Sequence, residues 1–408
     1  MALYAFDGTG NLDHDDDGKD TNVVRFSELY RPNGDRHVVY TSGVGTRKGP
    51  LGHVLGGLFG AGGRSRIDEM YDDLCARWAA GDHVIDIIGY SRGAALAIHF
   101  ANRIADQGIQ TSDGGRLHAN IRFLGLFDTV ASFGLSFNNI LNFQDINLGW
   151  KVDRIPEIVE HAAHAMALDE RREAFNLTRP AGQINEVWFR GVHGDIGGGN
   201  QNPNRFNIAL HWMLDQARTA GLSFDDELIQ DSKYSSIDVH AAVNENRDVV
   251  RDPPRQIRPD DAFHPSAQPK LAIGESVSVP VDSAVKHNFS GVSLEQGSKY
   301  RVTASGQWSD GKIGCNSAGW NTADELGWGK QQIVKTFEDN RRCPRANWFE
   351  LVGSYGTEDE HLVRLGQAVN GIEFTADRTS DFWLFANDVH FKYDNNEGSI
   401  QVRIERLS

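Results

Sequence analysis

The pattern of hydrophobic and polar positions changes character near residue 270. Before it, short apolar runs alternate with amphipathic stretches of helical length. Ala2–Phe6, His37–Thr41, Val84–Ile88, Ile121–Phe127 and Glu186–Val192 have the length and the β-branched or aromatic content of buried strands. Between them, Thr21-Asn22 caps a helix through Tyr30, and Ile67–Ala79 places Ile67, Met70, Tyr71, Leu74 and Trp78 on one face. Small apolar residues at helical spacing follow Ser91, and Asn207–Ala220 reads as a further helix. Ile155–Phe175 reads as helical too, carrying His161, His164, Glu170 and Arg171 as a hydrogen-bonded packing cluster. Strands alternating with helices predict an α/β fold with a doubly wound, mostly parallel sheet.

From Leu271 onward the pattern is one of short strands separated by turn residues: Val277–Val281, Lys299–Ala304, Trp348–Val352, Phe382–Ala386 and Ser399–Ile404. That predicts an all-β sandwich. Between the two patterns the periodicity fades and Pro253-Pro254 and Pro259 appear, as in a linker. The expected division is an α/β catalytic domain over 1–250, a linker over 251–270 and a β-sandwich over 271–408. With 408 residues and 39% hydrophobic content, two folded cores are expected.

Three stretches of the first part stand apart. Asp13–Gly18 has the spacing of half a calcium loop, but Val24 occupies the position that needs a bidentate glutamate, so a solvated acidic loop is the expectation. Gly49–Gly63 interleaves glycine with Leu, Val and Phe and reads as a loop, either a lid or wall for an acyl chain or a packed connector. Phe133–Trp150 is an apolar, asparagine-containing insertion.

Chemistry concentrates at Val84–Ile98. A β-branched run enters Gly89-Tyr90-Ser91-Arg92-Gly93, and an alanine-rich helix leaves it. A serine on a sharp strand-to-helix turn, flanked by glycines that let backbone pass close by, is a nucleophile elbow. A serine nucleophile needs a base, the base needs an orienting carboxylate, and the oxyanion needs fixed donors. Ser91, Asp128 and His193 follow the chain order of such hydrolases and each stands at the end of an expected strand. Asp195 competes with Asp128 for the acid's role. The oxyanion donors are expected to be the Arg92 N–H and an N–H of the Asp7-Gly8-Thr9 loop, from Gly8 or Thr9. Asp7, His164 and Asp195 are expected to support the site from behind. Nothing in this chemistry calls for a catalytic cofactor.

The formal net charge of −15, with no run of Lys or Arg, argues against a nucleic-acid partner. No stretch is long and apolar enough to span a membrane, and Met1 leads into a strand with no secretory signal pattern. The expectation is synthesis in the cytoplasm, with export by a route that reads no N-terminal signal, to the periplasm of a target cell or the extracellular space. Cys315 and Cys343 are available to pair in an oxidising compartment, whereas Cys75 reads as a buried helical residue.

Seven segments in order carry a resemblance: Phe-Asp-Gly-Thr-Gly-Asn, Thr-Asn-Val, Gly-Val-Gly-Thr, Gly-Tyr-Ser-Arg-Gly-Ala, Phe-Asp-Thr-Val, Ala-Leu-Asp-Glu-Arg-Arg-x-x-Phe and Trp-Phe-x-Gly-Val-His-x-Asp-Ile-Gly-Gly-Gly. Over about residues 2–220 the chain resembles the α/β-hydrolase family that includes bacterial type VI secretion phospholipase effectors. The resemblance implies a Ser–Asp–His hydrolase of esters, of the lipase or phospholipase type, acting on a lipid or other acyl ester. It also implies a secretion-machinery or immunity partner.

In the second part, Asn387–Ser399 puts one carboxylate and two adjacent amides on a turn between strands. Those are hard oxygen ligands suited to Ca²⁺; an asparagine-rich turn held by its own hydrogen bonds is the other reading. With Thr303–Gly311 upstream, the segment is similar to bacterial calcium-dependent galactophilic lectins over about residues 276–406. That similarity implies Ca²⁺ held by side-chain oxygens of Asp388, Asn395 and Asn396 and by backbone carbonyls of Asp310 and Lys392, with a glycan as ligand. The whole chain then reads as a serine esterase or lipase with a lectin-like module. The alternatives are an acyl-carbohydrate esterase, or a glycan-binding protein on an inactive hydrolase scaffold.

Overall fold

The computed structural model describes residues 1–8, 20–31, 36–42, 61–131, 150–243, 255–258, 260–321, 334–357 and 359–408. Asp13–Gly18, Thr9 and residues 49–60 and 133–149 of the two apolar stretches lie outside these. The end of the glycine-rich stretch, Ala61–Gly63, is the start of a helix rather than a loop. The chain divides into two compact units, residues 1–238 with 248–267, and residues 239–247 with 268–408. The expected linker therefore differs from what is found: its described residues up to Ala267 belong to the first unit.

In the first unit the strands are β1 (Ala2–Phe6), β2 (His37–Thr41), β3 (Ile85–Tyr90), a small hairpin of β4 (Ile109–Gln110) and β5 (Arg116–Leu117), β6 (Ile121–Phe127), β7 (Val159–Ala167), β8 (Asn185–Phe189) and β9 (Ala262–Phe263). All but the hairpin join one sheet in the order β2-β1-β3-β6-β7-β8-β9. Every pairing in it is parallel. The helices are α1 (Asn22–Leu29), α2 (Ala61–Ala79), α3 (Arg92–Gln107), α4 (His193–Gly197), α5 (Pro203–Thr219) and α6 (Ser232–Ser235). Helices α2 and α3 bury Ile67, Met70, Leu96 and Phe100 against Tyr4, Phe6, Ile85, Ile87, Leu124 and Leu126 on one sheet face. On the other face Phe26 of α1 stacks on Phe123 at 6.2 Å, and Met213 of α5 lies over Gly125. Helices on both faces bury the central strands completely, which is why those strands are nearly all apolar.

Strand β7 corrects the sequence reading. Val159–Ala167 was expected to be helical because alanine favours helices, yet it lies in the sheet between β6 and β8. Ala163, Ala165 and Ala167 alternate with His164 and Met166, and all of these are buried. Small side chains let α4 and α5 pack close to the strand, so tertiary burial overrides intrinsic propensity. The expected cluster of histidines with Glu170 and Arg171 is dispersed: His161 is exposed on the strand, His164 is buried, and Glu170 lies beyond the strand's end.

In the second unit two antiparallel sheets form the expected sandwich. One contains β10 (Ser276–Asp282), β12 (Lys299–Asp310), β13 (Ile313–Cys315), β17 (Ile372–Thr375) and β19 (Asn396–Arg406). The other contains β11 (Asn288–Leu294), β14 (Ala318–Trp320), β15 (Trp348–Tyr355), β16 (Leu362–Arg364) and β18 (Ser380–Ala386). Alternate residues such as Tyr300, Val302, Leu384, Val402 and Ile404 fill the core between them. The chain's cysteines form no disulfide.

Candidate active site

Ser91 stands between the end of β3 and the start of α3 with φ 58° and ψ −125°, a strained backbone for a residue with a Cβ. The turn is pinned to the neighbouring strand: Ser91 N–H donates to the Phe127 carbonyl at 2.9 Å, and Val130 N–H donates to the Ser91 carbonyl at 3.1 Å. Gly93 is required because a Cβ there would sit 2.2 Å from the Phe6 carbonyl oxygen. Arg92 opens α3, so its N–H is one of the donors that a helix start leaves without an intrahelical acceptor.

His193, first residue of α4, brings the strand ends together. Its Nε2 is 2.8 Å from Ser91 Oγ and its Nδ1 is 2.5 Å from Asp128 Oδ2. A carboxylate only accepts, so Nδ1 carries the proton and Nε2 is left to accept from the serine hydroxyl. Asp128 follows β6 with φ 43°, and its Oδ1 accepts from Ala167 N–H at 2.8 Å. The rings of Tyr90 and Phe175 flank the imidazole at 4.7 and 4.6 Å. Ser91, Asp128 and His193 are all buried.

The remaining expected residues take other places. Asp195 accepts from Val192 N–H at 3.1 Å and Asn200 Nδ2 at 2.9 Å, holding the α4 turn, while Asp128 takes the imidazole. Asp7 accepts from Thr21 Oγ1, Tyr40 OH and Gly8 N–H at 2.8, 2.7 and 2.6 Å. The Gly8 N–H expected at the oxyanion is thus turned to Asp7. His164 accepts from Thr129 N–H at Nε2, 3.1 Å, and its Nδ1 is 3.1 Å from Glu186 Oε1, so it braces the residue after Asp128.

Two groups around the imidazole take roles that were not legible in the sequence. Glu170 accepts from His193 N–H at 3.1 Å and from Arg172 Nε and Nη2 at 2.9 and 2.7 Å. Arg172 in turn lies over the Phe175 ring at 3.8 Å. The other group is Arg255, whose guanidinium grips both oxygens of Asp128 at 2.5 and 2.9 Å. Burial would raise the Asp128 carboxyl, but Arg255 and the bond to His193 outweigh it and hold it far below the usual carboxylate range. Burial pushes the His193 imidazole down; Asp128 opposes that and Arg255 adds to it, leaving the value lowered.

The family described as "T6SS, Phospholipase effector Tle1-like, catalytic domain" matches residues 3–119 and 110–216, together just over half of the chain. The chain belongs to this Tle1-like family. All three side chains of the Ser91 constellation lie inside the matched region, and Arg255 lies outside it. No curated protein matches the chain. Among solved structures, an uncharacterized protein from Pseudomonas aeruginosa is 22% identical over 59% of this chain and 49% of its own, with a TM-score of 0.42. A Tle1 effector bound to the VgrG spike of the type 6 secretion system is 24% identical over 48% and 50%, with a TM-score of 0.34. The N-terminal domain of EclA, described as a PllA-like lectin, is 19% identical over 32% of this chain and 94% of its own, with a TM-score of 0.23. The chain thus spans about half the length of the first two.

Within the second unit the five residues expected at a cation gather near the turn before β19. Asn395 Nδ2 donates to Asp310 Oδ1 at 2.7 Å, Asn396 Nδ2 to the Ser283 carbonyl at 3.0 Å, and Val389 N–H to Asp388 Oδ1 at 2.7 Å. That leaves Asp388 Oδ2, Asn395 Oδ1 and Asn396 Oδ1 buried with no hydrogen-bond partner. Burial, with Asp310's charge adding to it, pushes the Asp388 carboxyl up to about 7. The Asp310 side chain joins this arrangement through the bond from Asn395. Lys392 is exposed and its N–H donates to the Val389 carbonyl at 3.1 Å. Phe391 of the same turn is 66% exposed and its ring stands 6.2 Å from that of Phe337.

Proposed function

We propose that the first unit is a serine hydrolase cleaving carboxylic esters of lipids, with Ser91 as nucleophile, His193 as general base and acid, and Asp128 as its orienting carboxylate. The observation that carries this is the chain of contacts from Ser91 Oγ through both imidazole nitrogens to Asp128, at the carboxyl ends of adjacent parallel strands. His193 takes the serine proton as Oγ attacks the acyl carbon, then returns it to the leaving alcohol. Asp128 stays ionised, keeps the tautomer and stabilises the imidazolium. A water activated by the same imidazole then releases the acid, restoring Ser91. The Arg92 N–H, at the start of α3, supplies one donor to the oxyanion; Gly8 is not the other in this conformation, since Asp7 holds its N–H. The phospholipase effectors of the family make membrane phospholipid the first substrate to test and delivery by a type VI secretion machinery the expected route.

The second unit supports a calcium-dependent carbohydrate-binding role. The three partnerless buried oxygens fit a hard cation, since burying polar atoms without partners is costly and carboxylate with amide oxygens is the donor set Ca²⁺ takes. Asp388, Asn395 and Asn396 would hold the ion, which when bound supplies open coordination positions to sugar hydroxyls. The exposed Phe391 and Phe337 rings offer an apolar face to such a ligand.

The test is hydrolysis of phospholipid vesicles, short-chain esters and acetylated sugars by the full chain and by Ser91→Ala. Phospholipid turnover by the wild type alone is expected. Preference for acetylated sugars would favour an acyl-carbohydrate esterase, and equal rates in both proteins would remove Ser91 from the mechanism.

A further inference from the structure

Arg255 sits in a stretch that reads as linker, yet its side chain is buried and makes four hydrogen bonds within the first unit. Nη1 donates to Asp128 Oδ1 at 2.5 Å and to the Ala167 carbonyl at 2.7 Å; Nη2 donates to Asp128 Oδ2 at 2.9 Å and to the Phe175 carbonyl at 2.8 Å. Ala167 ends β7 and gives its own N–H to Asp128 Oδ1. Phe175 packs its ring on His193. One guanidinium therefore joins the carboxylate, the strand end beside it and the turn that flanks the imidazole.

We infer that Arg255 is a positioning residue for the Asp128–His193 pair, supplied from beyond the family-matched part of the chain. The inference rests on the triad proposed above. A bidentate arginine fixes the plane of a carboxylate as a lysine's point charge does not, and so keeps Oδ2 aimed at Nδ1. It carries an electrostatic cost, because a second cation near His193 disfavours the imidazolium that forms during reaction. The charged and titratable groups facing His193 are Asp128 after β6, Tyr90 at the end of β3, Glu170 and Arg172 after β7, Asp195 on α4 itself, and Arg255. Arg172 is paired to Glu170 and Asp195 is bonded within the α4 turn, so Arg255 is the cation joined to His193 through a shared carboxylate.

The experiment compares the full chain with Arg255→Lys and Arg255→Met, using a short-chain nitrophenyl ester across the pH range and thermal melts to follow folding. Arg255→Met is expected to lower kcat about 10²-fold with KM little changed, as misplaced catalytic groups do. Its acid limb should move up by about one pH unit, because the imidazole gains protons more readily without the cation. Arg255→Lys should keep the limb where it is and recover roughly a tenfold part of the lost kcat. Wild-type kcat and limb in Arg255→Met would overturn the assignment. So would equal losses in both variants with neither limb moved, the mark of a merely structural role. Should Arg255→Met fail to fold, Arg255→Lys decides: unchanged kcat overturns the inference, and a roughly tenfold loss at an unmoved limb supports it. Ser91→Ala runs alongside. A wild type no faster than Ser91→Ala removes the hydrolase reading itself, whereas an active wild type with unaffected Arg255 variants removes Arg255 alone.

Discussion

Around Ser91 the side chains are bonded to one another and to the backbone, whereas at the turn before β19 three buried oxygens have no hydrogen-bond partner among the described residues. In the first, both imidazole nitrogens and both oxygens of Asp128 are held by this chain's own groups. In the second, the proposed cation would supply the contacts those oxygens lack, since buried polar atoms without partners are costly. One site should keep its shape whatever ions are present, and the other should change with them.

The sharpest way to break that contrast is Asp128→Asn. An amide cannot keep the Nδ1-protonated tautomer and leaves Arg255 facing a neutral group, so ester hydrolysis should fall about 10⁴-fold. Calcium binding measured by calorimetry should not change. A Cβ at Gly93 meets backbone of the β1 end, which cannot move aside as a flexible side chain would. Gly93→Ala is therefore expected to destabilise the first unit by about 3 kcal/mol in a denaturant titration, with the second unit unaffected. Calcium gives the converse: at about a hundredfold excess over Kd it should stabilise the second unit by about 2.7 kcal/mol. Chelation or Asp388→Ala should abolish that gain and leave hydrolysis of a soluble ester as it was. The smallest effect concerns pH. A lowered His193 value means the imidazole stays neutral, and able to accept the serine proton, to more acid pH than usual. The acid limb of kcat/KM should then lie below the ordinary value of about 6.5. A limb centred above 7 would contradict the burial argument.

The same contrast governs what the sequence made legible. The Val84–Ile98 stretch announces its structure because the β-branched run, paired glycines and small helical residues are each local requirements of one turn. Asp128 and His193 follow from chain order and from standing at strand ends. Strand β7 was hidden because its alanines suit a helix in isolation, and only burial in the sheet between β6 and β8 makes Ala163, His164 and Ala165 a strand. Arg255 was hidden for the opposite reason: a basic residue after two prolines has no periodic context, and its partner Asp128 is distant in the chain. Glu170 was noticed, but as a helical neighbour of His164 rather than as the acceptor for the His193 N–H. In the second unit the periodicity of β12 and β19 was plain, whereas the turn carrying Asp388, Asn395 and Asn396 read both as a cation's donor set and as a self-bonded turn, with the assignment of each ligand coming only from resemblance. Nothing in an Asn-Asn pair distinguishes a self-bonded turn from a ligand set until the partnerless oxygens are located.

Fluorophosphonate labelling of the intact chain, read by peptide mass spectrometry, tests the central claim most directly. Modification at Ser91 in the wild type, abolished by His193→Ala and unchanged by calcium chelation, is the expected result. A chain labelled at another serine, or labelled at Ser91 equally well without His193, would contradict it.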